Sequence, residues 1–276
     1  MNIERSGGLK MDIKVAFFDV DGTIVDNHSK KDQLSDMELV PTSTVEAIRL
    51  LKENGITPFI ATGRSPFMIE DLLNGLELDS FICTNGQYAV MNGKVMYEAP
   101  YSEELLDKIA KVAKENHVPL LWMPTHHYIL SGDNQEILLE ALSNMNLPYP
   151  IIETDFKKPD YNIYQMVAGV NEENEHIFES IDEVRVVRWQ PNGIDLLPKV
   201  GSKATAIEVI LEKLGLKPEN AIAFGDGLND IEMLQTVGCG VAMGNAHEEL
   251  KKHADYIAKP VYEDGIYNAC KELGLI

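Results

Sequence analysis

The feature of this sequence that most restricts its fold is a short apolar run that ends in acids and a glycine. The run is Val15–Phe18 (VAFF), and Asp19, Asp21 and Gly22 follow it directly. A continuous apolar stretch of this kind is typical of a strand that is buried on both faces, as in a parallel sheet. Gly22 allows the chain to curl where the strand ends. We therefore predict a buried parallel strand that leads into an acidic turn.

Strand and helix patterns alternate after this turn. Ser43 and Glu46 have the spacing of a capping box, which predicts a helix that starts at Ser43. Residues 56–61 and 81–83 read as two further strands. Pro58 cannot donate to a sheet ladder, so we expect it in the first turn of its strand or at a bulge. This alternation predicts βα units in a parallel sheet.

The alternation breaks after the turn signal Asn85-Gly86 and resumes near Ile194. Because both flanks read as halves of one sheet, we predict an α/β fold with a doubly wound, Rossmann-like parallel-sheet core and a second domain inserted into it. The predicted core comprises residues 11–86 and 194–276, and the predicted insert comprises residues 87–193. Ligands of such cores bind at the carboxyl ends of the strands.

Composition restricts the partners and the compartment. The formal net charge of −20 disfavours nucleic acids and anionic membrane surfaces, because both are bound mainly through lysine and arginine. A small phosphorylated molecule can still bind where a metal and a few cations reverse the field locally. Cys83, Cys239 and Cys270 lack the spacing of a zinc or redox pair and are expected to be free thiols. No apolar stretch is long enough for a membrane span, so we expect a cytoplasmic protein.

Asp19 and Asp21 are the first candidates for chemistry. In a curled turn, the Asp19 carboxylate and the Asp21 backbone carbonyl can face one hard cation, which leaves the Asp21 side chain free to move protons. Mg²⁺ suits such a site because it takes few protein oxygens and leaves room for a phosphate. The alternative is an ordinary turn that is rich in aspartate and glycine.

Two further segments offer ligands for a phosphate. Thr62 and Gly63 end the second predicted strand, where the hydroxyl and backbone donors can hold a phosphoryl oxygen, and Arg64 either reaches the phosphate or solvates a helix start. Lys203 follows Ser202 at a predicted helix start, where the macrodipole makes a cation unfavourable by roughly 0.3–1 kcal/mol. An anion held jointly by the helix end and the ammonium explains this placement. A solvent-facing lysine is the alternative.

A second acidic segment, residues 225–230 (GDGLND), follows an apolar strand pattern and opens a helix. Asp226 and Asp230 lie one helical turn apart and can project the same way, one toward a cation and the other toward Lys203 or a metal-bound water. The alternative is an N-cap aspartate with a second acid in the first turn.

Together these segments resemble, in order, the four motifs of haloacid dehalogenase-like phosphohydrolases: residues 17–23, Thr62-Gly63-Arg64, Lys203 and residues 225–230. Residues 241–246 (VAMGNA) and the size of the insert are similar to the Cof-type sugar-phosphatase branch, which implies that the insert is an α/β cap. The resemblance covers the core well, whereas over the cap it is one of length and position.

The resemblance implies a magnesium-dependent phosphatase for small phosphorylated metabolites, with sugar phosphates first among them. Asp19 would form an aspartyl-phosphate, and Asp21 would protonate the leaving oxygen and then deprotonate water. The implied catalytic residues are Asp19, Asp21, Thr62 and Lys203; the implied substrate-binding residues are Thr62, Gly63, Arg64, Lys203 and Asn229; the implied metal ligands are Asp19, Asp21, Asp226 and Asp230.

Two other functions stay open at this point. In a phosphosugar mutase or phosphotransferase, the aspartyl-phosphate passes to an alcohol instead of water, and the core motifs do not separate this reaction from hydrolysis. A non-catalytic regulator would bind a phosphometabolite without turnover, but the intact Asp21 and Lys203 argue against it. Specificity is expected to lie in residues 87–193.

Overall fold

The structure is a computed structural model, and it describes residues 11–27, 34–144, 149–155 and 158–276. Two compact units are present. The first comprises the described parts of Met1–Gly63, Glu70–Tyr97 and Ser202–Ile276, and the second comprises those of Arg64–Ile69 and Glu98–Gly201. The predicted α/β core, with a second unit inserted into its sequence, is confirmed.

The helices and strands of the described residues are numbered in chain order. The strands are β1 (Val15–Phe18), β2 (Thr57–Ala61), β3 (Phe81–Cys83), β4 (Tyr88–Met91), β5 (Lys94–Glu98), β6 (Leu120–Met123), β7 (Ile129–Ser131), β8 (Ile151–Ile152), β9 (Gln165–Ala168), β10 (Val184–Gln190), β11 (Gly193–Pro198), β12 (Ala221–Gly225), β13 (Cys239–Ala242) and β14 (Tyr256–Ile257). The α-helices are α1 (Thr42–Glu53), α2 (Glu70–Gly75), α3 (Glu103–Glu115), α4 (Glu136–Asn144), α5 (Lys203–Leu214), α6 (Ile231–Thr236), α7 (Glu248–Lys251) and α8 (Gly265–Glu272).

The register of the first unit's sheet brings three strand ends together. The strand order is β14-β13-β12-β1-β2-β3-β4-β5, so β1 lies between β12 and β2. Both neighbours are parallel to β1, and Phe18 pairs with Phe224 on one side and with Ile60 on the other. The residues that follow these positions therefore emerge at the same edge of the sheet, at the point where the strand order reverses.

Burial on both faces explains the apolar sequence of β1. All four of its residues are buried. The ring of Phe18 stacks on Phe224 at a centroid distance of 4.8 Å, and Phe17 packs against Phe59 at 5.1 Å. The prediction of a strand buried on both faces is confirmed.

The start of α1 differs from the prediction. The helix begins at Thr42 with Pro41 as its N-cap, so Ser43 lies inside the first turn, and its buried hydroxyl has no hydrogen-bond partner within the described residues. The predicted capping box is therefore wrong. Pro41 holds its φ at −57°, a backbone setting that favours a helix start, so the N-cap lies two residues before the predicted Ser43.

Pro58 lies near the start of a central strand. On this side of β2, the N–H groups of Ile60 and Thr62 donate to Ser80 and Ile82. Pro58 lies two positions before Ile60, and the pairing of β2 with β3 begins only at Ile60. The missing N–H of Pro58 therefore removes no described hydrogen bond to β3. The expectation that it lies in the first turn of the strand is confirmed.

The second unit contains its own mixed sheet in the order β10-β11-β9-β6-β7-β8. Helix α3 contributes to the apolar cluster on one face, and α4 contributes to the cluster on the other. Its limits differ from the predicted 87 and 193, because β4 and β5 extend the first unit's sheet whereas β10 and β11 belong to the second. Cross-strand pairing, which a local pattern does not reveal, determines these limits.

The structure also bears on the cysteines and on the question of a membrane-spanning helix. Cys83, Cys239 and Cys270 are buried, and none of them forms a disulfide within the described residues, in agreement with the prediction. Within the described ranges, no helix is long and apolar enough to cross a bilayer.

Candidate active site

The chain curls directly after β1, as predicted. The N–H groups of Thr23, Ile24 and Val25 all donate to the carbonyl of Val20, at 3.2, 3.0 and 2.9 Å. Gly22 lies in this turn with a φ of +82°, a left-handed setting that strongly favours glycine. Three donors on one carbonyl hold the acidic turn in a single shape.

Asp19 and Asp21 have different surroundings within this turn. The Asp19 side chain is buried, and its Oδ1 accepts a hydrogen bond from Lys203 Nζ at 2.5 Å. Asp21 is exposed, and its Oδ1 accepts from the Asn27 amide at 3.3 Å. A buried, paired carboxylate suits a reacting group that is held in place, whereas an accessible one can exchange protons with water.

Lys203 is buried at the first position of α5, with 1% of its surface exposed. Its ammonium donates to Asp19 Oδ1 at 2.5 Å and to Asp230 Oδ1 at 2.7 Å. Burial alone would lower the pKa of Lys203, but the two carboxylates outweigh it and raise the pKa above the ordinary value. The unfavourable cation at this helix start is thus offset by two acids, and the alternative of a solvent-facing lysine is wrong.

Asp230 organises the second acidic segment. Its Oδ1 accepts from Lys203, and its Oδ2 accepts from the backbone N–H groups of Asp226 and Gly227 at 3.1 and 3.0 Å. Gly225 makes room for this arrangement, because a Cβ at that position would lie 2.6 Å from the Cβ of Asp230. With both oxygens engaged, Asp230 orients Lys203 and the loop that carries Asp226.

Three carboxylates converge beside the Lys203 ammonium. Ligand atoms of Asp19, Asp226 and Asp230 lie within 4.8 Å of one another. Burial raises the pKa of Asp19 well above its ordinary value, although Lys203 opposes the shift. Burial, followed by the charge of Asp230, raises the pKa of Asp226 to about 7. Three ionised carboxylates would carry more negative charge than Lys203 alone neutralises, so the cluster favours a bound proton or cation.

A divalent cation fits this donor set. Carboxylate oxygens are the preferred ligands of Mg²⁺, and its charge would offset the excess. Asp19 and Asp226 are the ligands that the hydrogen bonding favours, because both oxygens of Asp230 already have donors. Direct metal binding by Asp230, and by the Asp21 carbonyl, stays a prediction.

The second motif is anchored at the neighbouring strand end. Thr62 is buried, its N–H donates to Ile82, and its carbonyl accepts from the N–H of Asn85 at 3.1 Å. The Asn85 amide lies against Gly63, where a Cβ would be 3.0 Å from its Oδ1. These contacts hold Thr62 and Gly63 beside β1, while their binding to a phosphate stays a prediction.

The turn signal Asn85-Gly86 marks a close backbone approach. Gly86 has a φ of +96°, and a Cβ there would lie 2.0 Å from the Ser202 carbonyl, directly before Lys203. The predicted turn is confirmed, and it packs against the start of α5.

Two predicted substrate ligands do not belong to the acidic cluster. Asn229 is exposed on the loop between Asp226 and Asp230. Arg64 belongs to the second unit, where its charge acts on the Tyr128 hydroxyl. Their roles toward a phosphate stay predictions.

Asn245 is a residue whose position the sequence did not reveal. Its Nδ2 donates to the Gly22 carbonyl at 2.8 Å, and its Oδ1 accepts from the Val261 N–H at 2.9 Å. The side chain therefore ties the acidic turn to the chain segment after β14. The VAMGNA segment contains this asparagine, but its sequence resemblance indicates only a family branch and not the contact with Gly22.

Comparison with known proteins agrees with this arrangement. Residues 16–270 match the family model of haloacid dehalogenase-like hydrolases. The chain belongs to this family.

Individual relatives extend over nearly the whole chain. A putative phosphatase of Bacillus subtilis, YkrA, is 39% identical over 96% of this chain and 100% of its own length. A hypothetical protein of Geobacillus kaustophilus has a crystal structure with a TM-score of 0.87, 39% identity, and coverage of 96% of this chain and 100% of that one. The subclass IIB sugar phosphatase BT4131 has a TM-score of 0.79 and 30% identity over 95% of this chain and 100% of its own.

The family membership and the phosphatase relatives identify the chain as a phosphatase enzyme. The resemblance drawn from the four sequence motifs is therefore confirmed. Three of the four motifs follow β1, β2 and β12, whose register brings them to one edge of the first unit's sheet, and Lys203 joins them through its hydrogen bonds to Asp19 and Asp230.

Gly22→Ala is expected to impair this haloacid dehalogenase-like site more than it impairs folding. A Cβ at Gly22 would lie 2.1 Å from Asp226 Oδ2, so one of the clustered carboxylates must move. We expect a loss of about 1–2 kcal/mol of unfolding free energy from the left-handed backbone, together with a loss of phosphatase activity on the order of 10²-fold.

The matched control is Gly215→Ala. Gly215 also has a positive φ of +65°, but a Cβ there would meet no described atom within 4 Å. Denaturant titrations should show similar losses for both variants, and only Gly22→Ala should lose activity. Equal activities in the two variants would show that the contact with Asp226 does not matter.

Proposed function

We propose that the enzyme is a magnesium-dependent phosphatase that hydrolyses phosphate monoesters of small metabolites, sugar phosphates in particular, through an aspartyl-phosphate on Asp19. The observation that carries this proposal is the buried Asp19 carboxylate, which Lys203 holds at 2.5 Å within a cluster of three acids. The wider similarity to a sugar phosphatase supports the substrate class.

In the first step, an Asp19 carboxylate oxygen attacks the phosphorus and the bond to the leaving alcohol oxygen breaks. Asp21 donates a proton to that oxygen, so the alcohol leaves neutral. The exposed position of Asp21 supports this role, because an accessible carboxyl group can meet first the leaving oxygen and then the attacking water. Asp19 then carries the phosphoryl group.

In the second step, Asp21 removes a proton from water as the water oxygen attacks the phosphorus. The bond between the Asp19 oxygen and phosphorus breaks, inorganic phosphate leaves, and the Asp19 carboxylate and the protonated Asp21 are regenerated. Lys203 and Thr62 would stabilise the transferring phosphoryl oxygens. A bound Mg²⁺, held by Asp19 and Asp226, would supply a positive charge that reduces repulsion between carboxylate and phosphate.

A phosphate-release screen tests the proposal. Purified enzyme is incubated with p-nitrophenyl phosphate and a panel of sugar phosphates, nucleotides and cofactor precursors, with Mg²⁺ or with a chelator. We expect release of inorganic phosphate from several sugar phosphates, abolished by the chelator and restored by added Mg²⁺.

The same screen separates the alternatives. An isomeric phosphate ester in place of inorganic phosphate would identify a mutase, and turnover that is unaffected by the chelator would contradict the metal requirement. No turnover of any panel member would favour a binding protein and overturn the proposal.

A further inference from the structure

A polar cluster interrupts one otherwise apolar face of the second unit's sheet. Asp195 lies on β11 between Ile194 and Leu196, both of which are buried in the cluster on the α3 side. Because side chains alternate along a strand, Asp195 points to the opposite face, as does its partner Val167 on β9. That face carries the second apolar cluster, which contains Val167 and Tyr128. An acid at this position therefore requires an explanation.

Gln165 lies next to this acid with an unused acceptor. It occupies β9 two residues before Val167 and therefore lies on the same face. Its side chain is 4% exposed and hydrogen-bonds Asp195, but its Oε1 has no hydrogen-bond partner within the described residues. A buried carbonyl oxygen without a donor is unfavourable unless a ligand or water satisfies it.

Trp189 adds an unused donor. Its ring lies against Gly193, where a Cβ would be 2.7 Å from Cζ2, and Gly193 shares the face of Asp195 two residues away. The indole Nε1 is buried and has no acceptor in the described part of the chain. One face thus presents an acceptor on Gln165, a donor on Trp189 and a carboxylate on Asp195.

The surroundings keep the carboxylate only partly solvated. Burial raises the pKa of Asp195 to about 7, and hydrogen bonding from Gln165 opposes the shift. Asp195 raises the pKa of the Tyr128 hydroxyl, whereas Arg64 lowers it, so both charges lie within electrostatic range of this tyrosine. Asp195 itself retains some exposed surface, which gives a small molecule access.

We propose that Asp195, Gln165 and Trp189 form a binding site for a molecule with neighbouring hydroxyl groups. A hydroxyl both donates and accepts, so one can donate to Gln165 Oε1 while another accepts from Trp189 Nε1. Asp195 accepts from either hydroxyl. This chemistry occurs in the alcohol part of a sugar phosphate and in a free polyol. If the ligand is a sugar phosphate, the inference rests on the proposed function.

The test compares substrates with and without hydroxyls in the variants Asp195→Asn and Trp189→Phe. Sugar phosphates carry the hydroxyls that the cluster would bind, whereas p-nitrophenyl phosphate does not. For the best sugar phosphate, we expect kcat/KM to fall about 10- to 100-fold, mainly through KM, with less than about a twofold change for p-nitrophenyl phosphate. Asp182→Asn, an exposed acid of the same unit, is the matched control.

A second arm does not depend on catalysis. Ligand-observed NMR measures the binding of free pentitols and hexitols to the wild-type protein and to Asp195→Asn. Binding that the substitution abolishes, with unchanged sugar-phosphate kinetics, supports the site and identifies a separate polyol as its ligand. This arm also tests the cluster if the screen finds no phosphatase substrate.

Two outcomes would overturn the inference. Equal losses on p-nitrophenyl phosphate and sugar phosphates, with a lower melting temperature, would indicate a purely structural cluster. Unchanged kinetics together with unchanged or absent polyol binding would show that the cluster binds no hydroxyl-bearing ligand.

Discussion

Asp19→Asn is expected to abolish phosphate release while leaving the protein folded. An amide is not a nucleophile toward phosphorus, so the covalent step is lost, and we expect kcat to fall by at least about 10⁴-fold. The amide has nearly the same shape as the carboxylate, and Lys203 keeps its second partner, Asp230.

The stability of this variant provides a second readout. Burial disfavours the charged form of Asp19, as the raised pKa shows. In the absence of metal, removing this carboxylate lowers the negative charge of the cluster, so the unfolding free energy should stay equal or rise. Urea titration with a chelator measures the stability, and phosphate release measures the activity.

The control for Asp19→Asn is Asp182→Asn, the same chemical change at an exposed position. Its activity and stability should match those of the wild type. Retained activity in Asp19→Asn would remove Asp19 as the nucleophile. Unfolding of the variant under conditions where the wild type is stable would show that the charge of Asp19 is structural.

Lys203→Met is expected to have the largest effect on stability. The methionine side chain approximates the length of lysine but removes the ammonium that donates to Asp19 and Asp230. Breaking a buried ion pair from one side leaves uncompensated charge, and we expect a loss of roughly 3–5 kcal/mol of unfolding free energy in metal-free buffer. Activity should be lost as well, because Lys203 is a proposed phosphate ligand.

Lys213→Met is the matched control on the same helix. Lys213 is exposed and donates to a backbone carbonyl, that of Met96, so the substitution should change stability by less than about 1 kcal/mol. Added Mg²⁺ should recover part of the stability of Lys203→Met, because it supplies positive charge to the same acids, but not its activity. Equal unfolding curves for the two variants would show that the buried ammonium contributes nothing to the fold.

The acidic site was predictable because its residues directly follow strands. Asp19 follows β1, Thr62 follows β2 and Asp226 follows β12, and each strand carries a local apolar pattern. The carboxyl ends of parallel strands meet at one edge of a sheet, so the pattern alone predicts that these side chains converge. Lys203 could be singled out because a cation is unfavourable at the start of a helix.

The partners of Lys203 were less predictable. The sequence suggested a bound anion for Lys203 and one acid of the 225–230 segment as its neighbour. The structure confirms such an acid, Asp230, which is 27 residues away, and adds Asp19, which is 184 residues away along the chain. Asn245 contacts the Gly22 carbonyl across 223 residues. No local pattern encodes a hydrogen bond over such a separation, because the two segments meet only after the sheet has formed.

The buried acid of the second unit was likewise recognisable only in the structure. A polar residue between two apolar ones, Asp195 between Ile194 and Leu196, is an ordinary alternating strand in the sequence. Its opposite face is buried under another apolar cluster, which turns a typical solvent-facing position into a partly buried acid.

By itself, the sequence determined the α/β class, the family and the four acids and one lysine on which the proposed chemistry rests, because apolar periodicity and motif spacing are local properties. Only the tertiary structure decided which oxygens of Asp230 are already engaged, where the two units divide, and that Asp195 and Gln165 share one sheet face. These features depend on strand register and burial, and both arise from contacts between segments that are distant in the chain.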